Sequence, residues 1–215
     1  MTPIWIIGAG HFGRHAADGL SRARPGVRLL LVDPCAENLA RARGPRRCLE
    51  EADGVPFLAQ RLGAGDEPEW IVPAVPLHLA VEWCLARLDP GRFRRRPVPP
   101  EAELLLPNPM GGPLGDLYVS HARFRCPSDC PEPEDLCTVT RKPRERNLFE
   151  VLGELKVPAQ ESLVVRSHQL GAGIGGYRPA QLLDLLVAVE RGGERLLVST
   201  ACRCHGVLTA LERVG

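Results

Sequence analysis

Ile4-Trp5-Ile6-Ile7-Gly8-Ala9-Gly10-His11-Phe12-Gly13 is the stretch on which the reading of this chain turns. Its four apolar residues predict a buried strand that ends on glycine. Gly8, Gly10 and Gly13 stand in the spacing G-x-G-x-x-G, and a helical pattern follows through Phe12, His15, Ala16, Gly19 and Leu20. At a dinucleotide site each glycine has a task. The first permits a tight turn, the second lets a pyrophosphate approach the backbone, and the third lets helix and strand pack closely. The helix N-terminus adds N–H donors and a partial positive charge. Beyond the turn Pro25-Gly26, Val27 to Asp33 reads as a second buried strand. Asp33 ends that strand, where a carboxylate would take ribose hydroxyls and repel a 2′-phosphate. The expected cofactor is therefore NAD, held by Gly8, Gly10, His11, Phe12, Gly13 and Asp33. Arg14 or Arg28 could soften the discrimination against NADP. A glycine turn without a ligand and an S-adenosylmethionine site are alternatives that the motif leaves open.

Residues 3–88 resemble the NAD-binding domains of the TrkA-N type and of small dehydrogenases, through Gly8, Gly10, Gly13 and Asp33. The resemblance implies a Rossmann-type half-domain and cofactor binding. It does not reach the cysteine-rich segment further on.

Working outward, residues 35–44 predict a helix, Cys48 a short strand, Trp70 to Pro76 a fourth strand, and Leu77 to Leu88 an amphipathic helix. Residues 89–115 are dense in Pro and Gly. Arg92 to Arg96 reads there as a solvated or phosphate-touching loop, and Leu104-Leu105-Leu106 as a short strand. Leu117 to Ser120 is a further strand candidate. Residues 121–148 carry no periodicity. Ser162 to Arg166 and Arg195 to Ser199 read as strands, Ala180 to Arg191 and Gly206 to Val214 as helices. The expected fold is α/β: a doubly wound, mostly parallel, Rossmann-like sheet with a long Cys/Pro-rich metal-binding loop. Three parts are expected: an NAD-binding half over 1–90, an insertion with metal-cluster ligands over 91–148, and a β-α-β-α segment over 149–215 that completes the sheet.

The insertion carries Cys126, Cys130 and Cys137 within twelve residues, stiffened by prolines, and Cys202-Arg203-Cys204-His205 follows the last expected strand. Thiols this dense in a reducing compartment point to a metal centre. Cys126, Cys130 and Cys137, completed by Cys202 or Cys204, could hold a [4Fe–4S] cluster or Zn²⁺, and the iron–sulfur reading is preferred. The spacing matches neither a zinc ribbon nor a ferredoxin run. Cys35, Cys48 and Cys84 read as small buried hydrophobes.

Ligands in an open parallel sheet gather beyond the carboxyl ends of the strands. That rule would place the glycine loop, His78, His121, His168 and the cysteines on one rim. The three histidines are candidates for proton transfer, and Gly171 to Gly176 for an anion-binding nest. The expected function is an NAD-binding oxidoreductase or redox protein, an NAD-dependent enzyme with the metal centre beside the nucleotide. It would act on a small-molecule substrate or a redox partner. An NAD(H)-sensing regulatory module of the TrkA-N type, with a structural zinc and no turnover, is one alternative. A zinc-stapled α/β enzyme using another nucleotide-like ligand is another. Walker, Gly-x-Ser-x-Gly and His-Glu-x-x-His motifs are absent, so kinase and hydrolase readings have no support.

The formal net charge of +1 creates no field selecting nucleic acid. No apolar run approaches the ~18 residues of a membrane helix, and the first residues lack the pattern of a signal peptide. The sequence therefore predicts a cytoplasmic protein without membrane insertion; a homodimer is one assembly it leaves open.

Overall fold

The computed structural model of the protein describes residues 2–214. Its first part alternates strand and helix: β1 (Ile4–Ile7), α1 (His11–Ala23), β2 (Leu29–Asp33), α2 (Ala36–Arg41), β3 (Arg47–Glu51), α3 (Gly54–Arg61), β4 (Trp70–Pro73) and α4 (Leu79–Arg87). The strands form a parallel sheet in the order β3-β2-β1-β4. Ile4 lies beside Leu29 on one side and Trp70 on the other. Every residue of β1 is buried, as expected for a central strand covered on both faces. Ile4 and Ile6 pack with Ala16, Ala17 and Leu20 of α1, while Trp5 and Ile7 face Phe57 and Leu58 of α3.

The second part is built differently. It runs through β5 (Phe93–Arg96), α5 (Pro100–Leu105), β6 (Met110–Gly111), β7 (Leu117–Ser120), α6 (Leu148–Gly153), β8 (Glu161–Arg166), β9 (His168–Gly171), β10 (Ile174–Gly176), α7 (Pro179–Arg191), β11 (Arg195–Ala201) and β12 (His205–Arg213). A second sheet has the order β6-β7-β12-β11-β8, with β5 also pairing β12. Only the β11–β8 pair in it is parallel. The expectation that residues 149–215 complete the first sheet is thereby corrected.

The cause lies in Gly206 to Val214, read from sequence as a helix, where Gly206 to Arg213 instead belong to the strand β12. Thr209 and Leu211 face α4 and α7, while Leu208 and Ala210 face α5 and α6. A strand buried on both faces is apolar without alternation, so periodicity cannot separate it from a buried helix. Arg92 to Arg96 is likewise not a solvated loop. Phe93–Arg96 is a strand whose Arg94 pairs with Glu212 and whose Arg95 pairs with Glu82 and Asp116. Leu104 and Leu105 end a helix that opens on Pro100 at its first position, where proline is well tolerated.

The two sheets share a middle layer. Helices α3, α4 and α7 pack between Trp5, Ile7 and Ile71 of the first sheet and Val165, Leu196, Val198 and Leu211 of the second. This explains why α4, expected to be amphipathic, buries Leu79, Ala80, Val81, Trp83 and Cys84. The outer layers are α1 and α2 on one side and α5 and α6 on the other.

Candidate functional site

The β1–α1 loop has the local geometry that its glycines dictate. Gly8 sits at φ +101°, a left-handed conformation that costs glycine little. A Cβ on Gly13 would collide with the carbonyl oxygen of Gly8, so helix and strand close to van der Waals contact there. A Cβ on Gly10 would meet nothing within 4 Å, leaving open space above the loop. Helix α1 begins after Gly10 with no side-chain cap and no acidic residue in its first turn. His11 and Phe12 are exposed beside it, with Phe12 at 61%.

Asp33 stands at the end of β2 as expected, but it already has protein partners. One carboxylate oxygen accepts from the backbone N–H of Ala9 at 2.7 Å. The other accepts from Cys35 N–H at 2.8 Å and from the Asn38 amide at 3.3 Å. The side chain thus braces the glycine loop against the start of α2. The Asn38 amide also reaches the first oxygen at 3.4 Å, so the roughly four acceptor positions of the carboxylate are in use and a further donor would take the place of Asn38.

The cysteines gather elsewhere, on the second sheet. Cys126, Cys130, Cys137, Cys202 and Cys204 all line one cavity of about 1050 Å³, together with His121 and His205. Cys202 to His205 is the tight turn joining β11 to β12, closed by Cys202 N–H donating to His205 O at 2.9 Å. The loop from β7 to α6 wraps around that turn. His121 N–H donates to Cys204 O, Leu148 N–H to Arg203 O, and Arg203 N–H to the Glu132 carboxylate. The loop is held to itself by Cys137 N–H on Lys142 O at 2.9 Å and Arg144 N–H on Asp135 O at 3.2 Å.

The thiols differ: Cys137 is favoured as the thiolate, whereas burial is the main cause that raises Cys126, Cys202 and Cys204. Hydrogen bonds from Thr140, through its hydroxyl and backbone, and from the Val139 backbone hold the Cys137 thiol below its ordinary value. Cys202 Sγ accepts from His205 N–H at 3.4 Å. The Arg144 guanidinium donates to Cys204 Sγ at 3.0 Å and spans to the carbonyls of Pro133 and Glu134. Burial raises Cys126, and the nearby thiols Cys130, Cys204 and Cys137 push it the same way. Burial first, then the neighbouring Glu132, push Cys202 up to about 12. Cys130 acts on Cys204 within the cavity, and Glu132 acts on both Cys202 and Cys204. Among the described residues, no group of three or more His, Cys, Asp or Glu side chains is placed so as to hold a metal ion.

The histidines separate. His121 lines the thiol cavity, its imidazole lowered mainly by desolvation. His168 opens β9, 5.5 Å from the Trp70 ring, and is also lowered by desolvation. His78 is not on a rim. It is 2% exposed, with Nδ1 2.7 Å from Thr209 Oγ and Nε2 2.9 Å from Thr200 Oγ. Thr209 donates its hydroxyl to Asp116, which pairs with Arg95. The Thr209 oxygen must therefore accept from His78 Nδ1–H, leaving Nε2 to accept from Thr200. Burial pushes this imidazole down to about 3, so it stays neutral and fully bonded. It builds the core and has no access to a substrate.

Gly171 to Gly176 is a β-hairpin rather than an anion nest, and the N–H of Gly173 is taken by Cys130 O. The residues lining the thiol cavity do not include Gly8 to Gly13 or Asp33. The expected single rim is therefore replaced by two separate places. Of the residues that complete the cavity, Glu132, Arg144 and Thr140 were not picked out in the sequence. They sit among many similar residues in a loop without periodicity. His205, in the quoted Cys-Arg-Cys-His run, could have been read as a member.

Together these features define a mixed α/β protein with a parallel, glycine-looped first sheet and a cysteine-lined second one. Residues 80–214 match the model of AF_1314_C, described as an uncharacterized protein's C-terminal domain, and the chain belongs to that family. The match contains all five cavity cysteines and begins at α4, so the segment over 91–148 is part of one unit with the second sheet. A protein of Archaeoglobus fulgidus, described only as uncharacterized, is 32% identical over 153 residues, 68% of this chain. The chain spans 66% of that relative's length. No solved structure matches.

Proposed function

We propose that the chain is an NAD-binding redox protein carrying a thiolate-ligated metal centre, with iron–sulfur preferred to zinc. The observation that carries this reading is the meeting of Cys126, Cys130, Cys137 and Cys204 around one cavity, from a loop and a turn far apart in sequence. Four thiols are the donor set of a four-thiolate centre, and they would have to close on the metal, because as placed they do not hold one. The hydrogen bonds on Cys137 and the Arg144 guanidinium on Cys204 would orient the sulfurs and offset the negative charge of such a centre.

The strand order β3-β2-β1-β4, with the glycine loop at the carboxyl end of β1, supports a Rossmann-like first half. Gly10 leaves room for a pyrophosphate, the uncapped start of α1 favours its charge, and Asp33 supplies the ribose acceptor. When bound, NAD supplies two-electron hydride chemistry and the metal centre accepts or donates electrons singly. His121, which lines the thiol cavity with His205, is the proposed proton carrier there.

The test is a titration of purified protein with NADH and NADPH, followed by anaerobic addition of NADH while the visible spectrum of the centre is recorded. Binding of NADH in preference to NADPH, with bleaching of the centre, is expected. A specific observation favours one second reading: the glycine loop is not among the residues lining the thiol cavity. If NADH binds and the centre is colourless zinc, the protein is an NAD(H)-sensing module with a structural metal.

A further inference from the structure

One element touches both places. Ser167 N–H donates to Ala201 O at the end of β11, and the chain then leaves the second sheet as the β9–β10 hairpin. Beyond β10, Tyr177 and Ile71 exchange backbone hydrogen bonds of 2.9 and 3.0 Å, fastening the hairpin to the edge strand β4. On the nucleotide side, His15 Nε2–H in α1 donates to Ala172 O at 3.0 Å. Gly19, one turn further along α1, admits Ile174, which a Cβ would strike. On the thiol side, the Cys130 carbonyl accepts from Gly173 N–H at 2.8 Å and from the Gln169 amide at 2.9 Å. Gly173 lies at φ +69°, and a Cβ there would collide with the Ser128 carbonyl.

We infer that the β9–β10 hairpin couples the dinucleotide loop to the thiol centre, so that occupancy of either site changes the affinity of the other. This rests on the reading that the chain holds both ligands. A metal drawing Cys126 and Cys130 together moves the Cys130 carbonyl. Gly173 and Gln169 follow it, and Ala172 carries the shift to His15, in the helix whose N-terminus faces the pyrophosphate. Packed elements pass such shifts on because they do not deform continuously. Linkage makes the effect reciprocal, and such couplings are typically about 5–150-fold.

The experiment uses the full chain, with NADH as probe of the loop and cobalt(II), coloured by thiolate ligation, as probe of the cysteines. Cobalt is expected to change the NADH dissociation constant about five-fold or more, and NADH to change cobalt affinity by the same factor. Gln169→Ala and His15→Ala, which cut one end of the link each, should still bind both probes with the factor reduced to near one. Gly173→Ala should act more strongly, and the two alanine variants keep the test valid if it misfolds. If both probes bind the wild type independently, or the variants keep its factor, the coupling is wrong. If one probe fails to bind at all, the reading of that site is wrong and the coupling falls with it.

Discussion

Gly13 is pressed against the carbonyl of Gly8, so Gly13→Ala must push α1 away from β1. The expected outcome is loss of NADH binding with about 1–3 kcal/mol of stability, read by titration and by chemical denaturation. Asp33→Ala removes the acceptor for Ala9 and Cys35 N–H and should weaken NADH binding while lowering the melting temperature. His78 gives a pH signature. Its folded value of about 3 lies below its ordinary 6.5, so the unfolded chain binds the extra proton between those pH values. Stability must then fall as pH drops from about 6.5 toward 3, with a slope of up to ~1.4 kcal/mol per pH unit. Denaturation curves at pH 7, 5.5 and 4 check this; a His78→Gln variant should show a shallower slope, and an unchanged slope would count against it. At this scale the sequence was legible where chemistry has a fixed spacing. Gly8, Gly10 and Gly13 take the strand-to-helix turn and Asp33 the strand end read from the sequence, whereas the cysteines line one cavity away from the glycine loop they were expected to adjoin. The burial of His78 was not legible, because nothing near it in sequence announces that Thr200, Thr209 and Asp116 surround it.

Element β12 holds the second sheet together, with β11 on one side and β5 and β7 on the other. Leu211 is fully buried in it. Leu211→Ala should cost about 2–5 kcal/mol in chemical denaturation; a cost below about 1 kcal/mol would contradict a central position. The strands of the first sheet were readable because a parallel strand and its crossover helix carry different periods over short distances. Segment 206–214 was not, because Thr209 and Leu211 serve one layer while Leu208 and Ala210 serve the other. Phe93 to Arg96 was misread for the opposite reason: its arginines meet Glu82, Asp116 and Glu212, partners scattered along the chain. Charge runs look solvated until those partners are known.

For the whole molecule, the layer of α3, α4 and α7 belongs to both sheets. Neither sheet has a complete core alone, so calorimetry should show one cooperative transition rather than two. Residues 80–214 expressed alone would lose Trp5, Ile7, Phe57 and Ile71 from the face of α4 and should not fold stably. The thiolate centre is tested most directly by iron, sulfide and zinc content with a visible spectrum on anaerobically purified protein. Iron and sulfide with a broad absorbance that dithionite bleaches, abolished in Cys126→Ser and Cys204→Ser but retained in Cys35→Ser, is the predicted result. A folded, colourless, metal-free protein whose cavity cysteines all react with a thiol reagent would contradict it.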